Sequence, residues 1–130
     1  MNTVLVADDH PLMRRLLRTA LREHTVLEAP DGRTALAMAR QHAPDCILLD
    51  VMMPGDLDGL DVLDAVKADP ALRHTPVALV TARGQLADRR DGERRGADVY
   101  FTKPFSPAHI RAWVNSTCQA QRDSSPRSPC

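Results

Sequence analysis

The sequence predicts an α/β fold, a doubly wound five-stranded parallel sheet with helices on both faces. The first observation is that short apolar segments alternate five times with segments of helical spacing. The second is that the apolar segments lack polar alternation, which is typical of strands covered on both faces. The third is that Asp8, Asp9, Asp50 and Thr81 stand where such segments end. A length of 130 residues fits one domain of this kind.

The N-terminal part of the chain contains two strand and helix pairs. The first strand is predicted over Thr3–Ala7, and from Pro11 apolar residues recur at helical spacing with arginines between them. This pattern predicts an amphipathic helix whose basic side faces solvent. Thr25–Ala29 predicts the second strand, and Asp31 can cap a second helix over about 34–41. The apolar positions of the first helix are Leu12, Met13, Leu16, Leu17, Ala20 and Leu21.

The third strand is the most apolar and ends in a charge. It is predicted over Cys46–Asp50, and Pro54 soon ends the regular structure. A third helix follows and must end before Pro70, and the fourth strand is predicted over Pro76–Thr81. The apolar positions of the third helix are Leu60, Val62, Leu63 and Val66.

The C-terminal part is expected to contain a weak helix and a strong one. A fourth helix belongs over Gly84–Gly96, but this segment has little apolar surface, so we expect it to be weakly docked and mobile. A fifth strand follows over Asp98–Phe101, and Ser106 caps a last helix that begins with Pro107. The inward positions of that helix are Ile110, Trp113, Val114 and Thr117. Residues 1–118 should form the domain, and residues 119–130 a disordered Ser/Pro-rich tail.

Composition excludes several classes of function. Lys+Arg and Asp+Glu both number 17, so no net charge would attract nucleic acid or an anionic membrane. The cysteines Cys46, Cys118 and Cys130 are odd in number and widely spaced, which disfavours a disulfide framework or zinc site and favours a reducing cytoplasm. No apolar run approaches the roughly 18 residues of a membrane span, and the N-terminus lacks a signal-peptide pattern.

The interpretation of Asp50 depends on what the other strands bring to the same edge of the sheet. A lone Asp after a strand is most often a turn residue. Here Asp8, Asp9 and Asp50 should meet, close to Thr81 and to Lys103 after the fifth strand. Each close carboxylate pair would cost about 4 kcal/mol at about 4 Å and an effective dielectric near 20. A divalent cation and an ammonium would relieve that repulsion, and oxygen ligands suit Mg²⁺ better than zinc.

Four separated motifs, taken in order, resemble those of the receiver domain of bacterial two-component response regulators. The motifs are Asp8-Asp9, Asp50–Pro54, Thr81-Ala82 and Lys103-Pro104-Phe105. The resemblance covers nearly everything from Thr3 to about Thr117. It implies a flavodoxin-like strand order, 2-1-3-4-5, and a Mg²⁺ cofactor.

The resemblance implies a role for each matched carboxylate. Asp50 would be the phosphoacceptor. Asp9 and Asp50, with the backbone carbonyl of Met52, would hold Mg²⁺, while Asp8 would act through a water molecule. A carboxylate that attacks phosphorus needs its surroundings to stabilise the transferring oxygens, which agrees with this set of ligands.

The remaining motifs would bind the phosphoryl group and report its presence. Thr81 and Lys103 would each bond a phosphoryl oxygen, and Lys103-Pro104 would be a cis peptide bond. Tyr100, three residues before the lysine, would turn inward behind Thr81 when the group is present. The alternative is that Tyr100 is an edge-strand aromatic with a solvated hydroxyl.

The same resemblance implies partners. The phosphoryl group would come from a phosphohistidine on a sensor histidine kinase or a histidine phosphotransfer protein. The signal would leave through the fourth helix, fifth strand and fifth helix to a downstream protein. The chain would catalyse only its own phosphorylation and dephosphorylation, and is not expected to be an enzyme with a separate substrate. We expect a monomer or weak dimer, either a stand-alone regulator or the receiver part of a longer protein, which contacts no nucleic acid or membrane.

One stretch departs from the family pattern. Between Asp50 and Gly59 the chain has one residue more than the usual spacing, which leaves the conformation of the loop over 54–59 open. Met52 and Arg83, two residues after Asp50 and Thr81, would border the phosphoryl group. We expect them to restrict water and slow its hydrolysis.

Two other classes of function use similar parts. A Mg²⁺-dependent phosphatase with an aspartyl nucleophile would carry an Asp-x-Asp motif, but His10 stands two residues after Asp8 and Met52 two after Asp50. A phosphorylation-independent interaction module would need none of the functional positions, yet all of them are intact. Both alternatives therefore rank below the receiver.

Overall fold

The computed structural model describes residues 2–82 and 94–123, with side chains as far as Cys118. The strands are β1 (Thr3–Ala7), β2 (Thr25–Ala29), β3 (Cys46–Asp50), β4 (Val77–Ala82) and β5 (Val99–Lys103). The helices are α1 (Pro11–Ala20), α2 (Gly32–His42), α3 (Gly59–Ala68) and α4 (Pro107–Asp123). The helix predicted over 84–96 lies outside the described residues up to position 93, so the helix after β5 carries the label α4.

All strands are parallel and follow the order β2-β1-β3-β4-β5, which confirms the predicted sheet. The central strand β3 is buried along its whole length, because it has a strand on each side and a helical layer on each face. Its last residue, Asp50, lies beside Val80 of β4. The sheet therefore delivers a carboxylate from its most buried strand to its carboxyl edge.

Two apolar layers enclose the sheet. On one face α1 and α4 cover a cluster that includes Val6, Leu17, Leu48 and Ile110. On the other face α2 and α3 cover a cluster that includes Leu5, Ala35, Leu49 and Leu63. The alternation of β3 side chains between these clusters follows from the period of two along a strand. Among the described helices, none combines the length and hydropathy that crossing a membrane requires.

The orientation of α1 differs from the prediction. Leu12 and Leu16 are 77% and 43% exposed, whereas Leu17 and Leu21 are buried. The apolar stripe is wider than the strip of helix that meets the sheet, and the row spaced by four residues from Met13 faces inward. The basic side is only partly solvated, because Arg14 packs inward and is 17% exposed.

The ends of β5 and α4 also differ from the prediction. Lys103 is the last residue of β5 and does not follow the strand, because an edge strand can hold its polar residues half in solvent while its backbone pairs with β4. The last helix continues through Asp123, past the domain end expected at residue 118. The added residues include good helix formers such as Gln119 and Ala120, which favours continuation. The rest of the predicted tail, residues 124–130, lies outside the described residues.

His24 lies half-buried after α1 and contacts α4. Its ring nitrogen Nε2 lies 2.6 Å from Asn115 Oδ1 on α4, so it joins the end of α1 to α4. Cys46 and Cys118 lie in the core beneath the same helices and form no disulfide bond. The Cys118 thiol and burial together raise the pKa of Cys46 far above its usual range, so Cys46 is a protonated core group.

The loop between β3 and α3 is anchored at its far end. Asp58 caps α3, where its carboxylate accepts a hydrogen bond from the Asp61 amide and the Asp61 carboxylate accepts one from the Asp58 amide. Gly59 packs on the end of β3, and a Cβ built there would lie 2.3 Å from the Asp50 carbonyl oxygen. Gly55, with φ of 98°, faces open space. The longer loop is thus accommodated before Asp58, and α3 begins in contact with β3.

Candidate phosphoryl and metal site

Two carboxylates are buried at the carboxyl edge of the sheet. Asp8 follows β1 and is 3% exposed, and Asp50 ends β3 and is 4% exposed. The Asp8 amide donates to the Ala29 carbonyl at 3.1 Å, which continues the pairing of β1 with β2. The ends of β1 and β3, which carry these two carboxylates, are therefore held in place by the sheet.

Lys103 supplies the opposite charge from β5. Its ammonium donates to Asp50 Oδ2 at 3.1 Å and to Asp8 Oδ2 at 3.3 Å. The peptide bond to Pro104 is cis, as predicted. One cation thus bridges two carboxylates that would otherwise repel each other in a poorly solvated place.

The pKa values of this group follow from burial and from the charges around it. Burial raises the pKa of Asp50, the Asp8 charge raises it further, and Lys103 only partly offsets these effects. Burial alone would lower the pKa of Lys103, but the charges of Asp50 and Asp8 outweigh it and the pKa is raised. The ammonium therefore stays charged, while the carboxylates keep an excess of negative charge.

Asp9 and His10 complete the acidic cluster. Asp9 Oδ1 is buried and has no hydrogen-bond partner among the described residues, although His10 Nδ1 lies 3.2 Å away. The same nitrogen lies 3.2 Å from Asp8 Oδ1, and the His10 amide donates to that oxygen at 2.9 Å. A buried carboxylate oxygen without a partner is costly unless a cation or a water binds it.

A hard divalent cation fits these residues. Ligand atoms of Asp8, Asp9, His10 and Asp50 all lie within 4.8 Å of one another, and three of the four groups are carboxylates. Mg²⁺ prefers carboxylate oxygens and retains waters, and Asp9 Oδ1, which is buried and accepts no hydrogen bond from the described residues, is available to bind it. Asp8, Asp9 and Asp50 are the groups that would hold it.

Met52, two residues after Asp50, contacts the Asp50 carboxylate through its backbone. The Met52 amide donates to Asp50 Oδ1 at 3.1 Å, and the Met52 side chain is 60% exposed. The chain thus turns at Asp50 so that the Met52 backbone contacts the carboxylate, while the apolar Met52 side chain is largely exposed to solvent. Arg83, its predicted companion, lies outside the described residues.

Thr81 and Tyr100 occupy neighbouring strands near the same edge. Thr81 is 3% exposed and lies one residue beyond the partner of Asp50 in β4. Leu79 pairs with Tyr100 and Thr81 with Thr102, so Thr81 and Tyr100 lie on the same face of the sheet. Tyr100 is partly buried against the cluster under α2 and α3.

The structure brings together most of what the sequence predicted. Asp8, Asp9, Asp50 and Lys103 form one cluster, and Thr81 ends on the adjoining strand. Sequence reasoning missed the contact of His10 with both acidic residues and the bond from Arg14 Nη1 to the Asp8 carbonyl at 2.7 Å. The position of His10 beside the pair was a signal, whereas nothing in the spacing of Arg14 indicated its partner.

Comparison with known proteins agrees with this arrangement. The family model described as response regulator receiver domain matches residues 4–115. Response regulator PleD of Caulobacter vibrioides is 46% identical over 115 residues, which are 87% of this chain and 25% of PleD. Transcriptional regulatory protein SrrA of Staphylococcus aureus is 36% identical over 111 residues, 84% of this chain and 44% of SrrA. The chain therefore spans less than half the length of these relatives.

A solved structure shows the same fold. The receiver domain of the Francisella response regulator 1452 superposes with a TM-score of 0.85 and 31% identity, covering 93% of this chain and 99% of that one. The strand order is thus that of a known architecture. In this chain its carboxyl edge carries Asp8, Asp9 and Asp50, and we call it the acidic edge.

Proposed function

Because the chain belongs to the family of response regulator receiver domains, we propose that Asp50 accepts a phosphoryl group in a Mg²⁺-dependent reaction. The observation that carries this proposal is the contact of Lys103 with Asp50 and Asp8, next to a buried Asp9 oxygen that has no hydrogen-bond partner in the described residues. A nucleophilic carboxylate, a fixed cation and free metal-ligating capacity are the parts that phosphoryl transfer to an aspartate requires.

Each residue has a defined task in this reaction. The Asp50 carboxylate attacks phosphorus with one oxygen, and the bond from phosphorus to the donor breaks. Lys103 stabilises the oxygens of the group in transfer through its ammonium, and the Met52 amide helps to orient the Asp50 carboxylate. Mg²⁺, when bound, supplies positive charge to the same oxygens. Asp9 and Asp50, with the Met52 carbonyl, are proposed to hold it, and Asp8 to act through water.

The product places new negative charge beside Thr81 and Lys103. A phosphoryl group carries about −1.5 to −2 charges at neutral pH and offers new acceptor oxygens. Thr81 is proposed to donate to one of them, and Tyr100, on the same face of the sheet, to turn inward behind it. The half-exposed edge strand β5 and its neighbouring helices would carry this change to a downstream protein.

The partners and the location follow from the same proposal. The phosphoryl donor is a sensor histidine kinase or a histidine phosphotransfer protein, and the chain works in the cytoplasm as a monomer or weak dimer. It has no separate substrate, because its only covalent chemistry is the gain and loss of the group on Asp50. These statements rest on family membership and on the geometry of the acidic edge.

Phosphorylation by a small donor tests the proposal directly. Incubation with acetyl phosphate and Mg²⁺ is expected to add one phosphoryl group, detected by intact-protein mass spectrometry. Asp50→Asn should abolish the gain, and so should removal of Mg²⁺ with EDTA. Asp64→Asn on the exposed side of α3 is the control and should be phosphorylated as the wild type is.

Two results would contradict the proposal. One is a wild-type chain that gains no mass although it is folded and Mg²⁺ is present. The other is an Asp50→Asn variant that still gains one group at the wild-type rate. In the first case, a phosphorylation-independent interaction module would become the better assignment.

A further inference from the structure

Arg14 is the described arginine that reaches from α1 into the acidic edge. Its Nη1 donates to the backbone carbonyl of Asp8 at 2.7 Å, and its Nε donates to Glu28 Oε1 at 3.2 Å. The side chain is 17% exposed, so both bonds are partly shielded from water. A guanidinium can hold two partners in fixed directions, which an ammonium cannot do as well.

These bonds fix the peptide group between Asp8 and Asp9. The Asp8 amide is held by the Ala29 carbonyl at 3.1 Å, and the Asp8 carbonyl is held by Arg14. Because a peptide group is planar, holding the Asp8 carbonyl also fixes the direction of the Asp9 amide and of the Asp9 Cα. A contact from α1 thus restricts the position of the Asp9 Cα, from which the Asp9 carboxylate extends.

Glu28 partly neutralises the positive charge of Arg14, which would otherwise repel a cation at the acidic edge. It lies on β2, beside Val6 of β1, and accepts hydrogen bonds from both Arg14 and Arg18. Its negative charge offsets the guanidinium close to the acidic edge. Arg18 shares the partner Glu28 with Arg14 but makes no described contact with Asp8. It is therefore a matched control for the contact between Arg14 and the Asp8 carbonyl.

We propose that Arg14 is a positioning residue for the divalent cation at the acidic edge, and that it acts by holding the Asp8 carbonyl so that Asp9 keeps the orientation of a ligand. The proposal rests on the Mg²⁺-dependent function proposed above. It assigns a role to a side chain that touches neither the cation nor the phosphoryl group. Residues that orient metal ligands from outside commonly change affinity by about 10- to 100-fold when they are removed.

The sign of the effect separates positioning from simple electrostatics. Removal of a positive charge near a cation site should strengthen cation binding if charge alone matters. Removal of Arg14 should instead weaken it, because Asp9 loses its fixed orientation. A merely structural role would lower the stability of the fold and leave the affinity of the folded protein unchanged.

The test measures Mg²⁺ binding to the full chain by isothermal titration calorimetry. Arg14→Met keeps the apolar stem and is expected to raise the Mg²⁺ dissociation constant about tenfold. Arg18→Met removes the same charge from the same helix and should leave it within about twofold of the wild type, since it leaves the Asp8 carbonyl bond in place. Thermal unfolding in EDTA records any loss of stability separately.

Phosphorylation gives a second measurement. The Arg14→Met variant should need more Mg²⁺ for half-maximal phosphorylation by acetyl phosphate but reach the wild-type rate at saturation. If Arg14→Met does not fold, Arg14→Lys serves instead, because lysine keeps the charge and loses the double contact.

An unchanged or tighter Mg²⁺ dissociation constant in the folded Arg14 variant would overturn the proposal, and so would an equal loss in Arg18→Met. A wild-type chain that binds no Mg²⁺ would refute the proposed function itself. The two failures are therefore distinguishable in one set of titrations.

Discussion

The central strand β3 and the edge strand β5 both end at the acidic edge, but their surroundings differ. All residues of β3 are buried, and it delivers the Asp50 carboxylate from the middle of the sheet. The residues of β5 are partly or fully exposed, and this strand delivers Lys103 and carries Tyr100. The Asp50 carboxylate is thus part of the core, while the ammonium that pairs with it comes from Lys103 on the edge strand.

The difference indicates a division of labour between stability and response. A residue with neighbours on all sides cannot shift without disturbing the core, so β3 holds Asp50, the proposed phosphoacceptor, in place. Local structure with fewer buried contacts opens at lower free energy, so β5 is better suited to change its conformation. Truncation of an apolar side chain in β3 should therefore cost more stability than truncation of an apolar side chain in β5.

The largest expected effect comes from a cavity in β3. Leu48→Ala removes a side chain that is 1% exposed between α1 and α4, and should lower the free energy of unfolding by about 3 kcal/mol. Val99→Ala in β5 touches the same cluster from a half-buried position and should cost about 1 kcal/mol. Urea unfolding followed by circular dichroism measures both. Equal costs would break the distinction between the two strands.

The next effect concerns the cation from β5. Lys103→Met leaves Asp8 and Asp50 without their shared partner, and should lower the free energy of unfolding by about 2 kcal/mol in EDTA. Saturating Mg²⁺ should reduce this loss, because it supplies positive charge to the same carboxylates. Lys67→Met is the control: Lys67 bonds the Arg73 and Thr75 carbonyls, so its cost should not depend on Mg²⁺. A loss in Lys103→Met that ignores Mg²⁺ would contradict this account.

A smaller effect of opposite sign is expected at Asp50. Burial and the Asp8 charge raise the pKa of Asp50 in the folded chain, so the ionised form destabilises the fold. The neutral side chain of Asp50→Asn should raise the free energy of unfolding by roughly 1 kcal/mol at pH 7 in EDTA, or about 4 °C in Tm. Stability from the protonated carboxyl is present below the unfolded pKa of about 3.9 and is lost as the pH rises through the higher folded value.

The advantage of Asp50→Asn should therefore grow from pH 4 to pH 7. Thermal unfolding across this range, in EDTA, provides the measurement. A wild-type chain that is the more stable of the two at pH 7 would show that Lys103 outweighs burial and Asp8.

The smallest effect on stability is expected at Met52, two residues after Asp50. Met52 is 60% exposed, so Met52→Asn should change the free energy of unfolding by less than about 0.5 kcal/mol. It should shorten the lifetime of the phosphoryl group severalfold, because a polar side chain admits water where an apolar one excludes it. Loss of label from phosphorylated protein gives the lifetime. An unchanged or longer lifetime in the variant would contradict the role assigned to Met52.

Much of the fold could be predicted because it depends on local pattern. The apolar runs of β1 and β3 have no polar alternation, and parallel pairing then brings Asp8 and Asp50 to one edge whatever the details of packing. Strand ends and helix caps such as Asp31, whose carboxylate accepts from the Thr34 amide at 2.7 Å, are also written locally. These features follow from spacing alone.

What could not be predicted depends on rotation and reach. The spacing of α1 shows an apolar stripe, but only the angle at which the helix meets the sheet decides that Leu17 is buried while Leu12 is exposed. The contact of Arg14 with the Asp8 carbonyl likewise depends on the direction of a long side chain. The start of α3 could have been predicted from Asp58 and Asp61, which have the spacing of a capping box, but the apolar residues of α3 alone do not locate it.

The cap at Asp58 and the contact of Gly59 with the end of β3 have a practical consequence for protein engineering. They fix the position of the chain at the start of α3, after the loop, whereas Gly55, earlier in the loop, faces open space. Additional chain inserted between Gly55 and Asp56 would therefore leave Asp50 and α3 where they are. We expect this position to accept a genetically encoded fluorescent reporter, which would then lie only a few residues from Asp50.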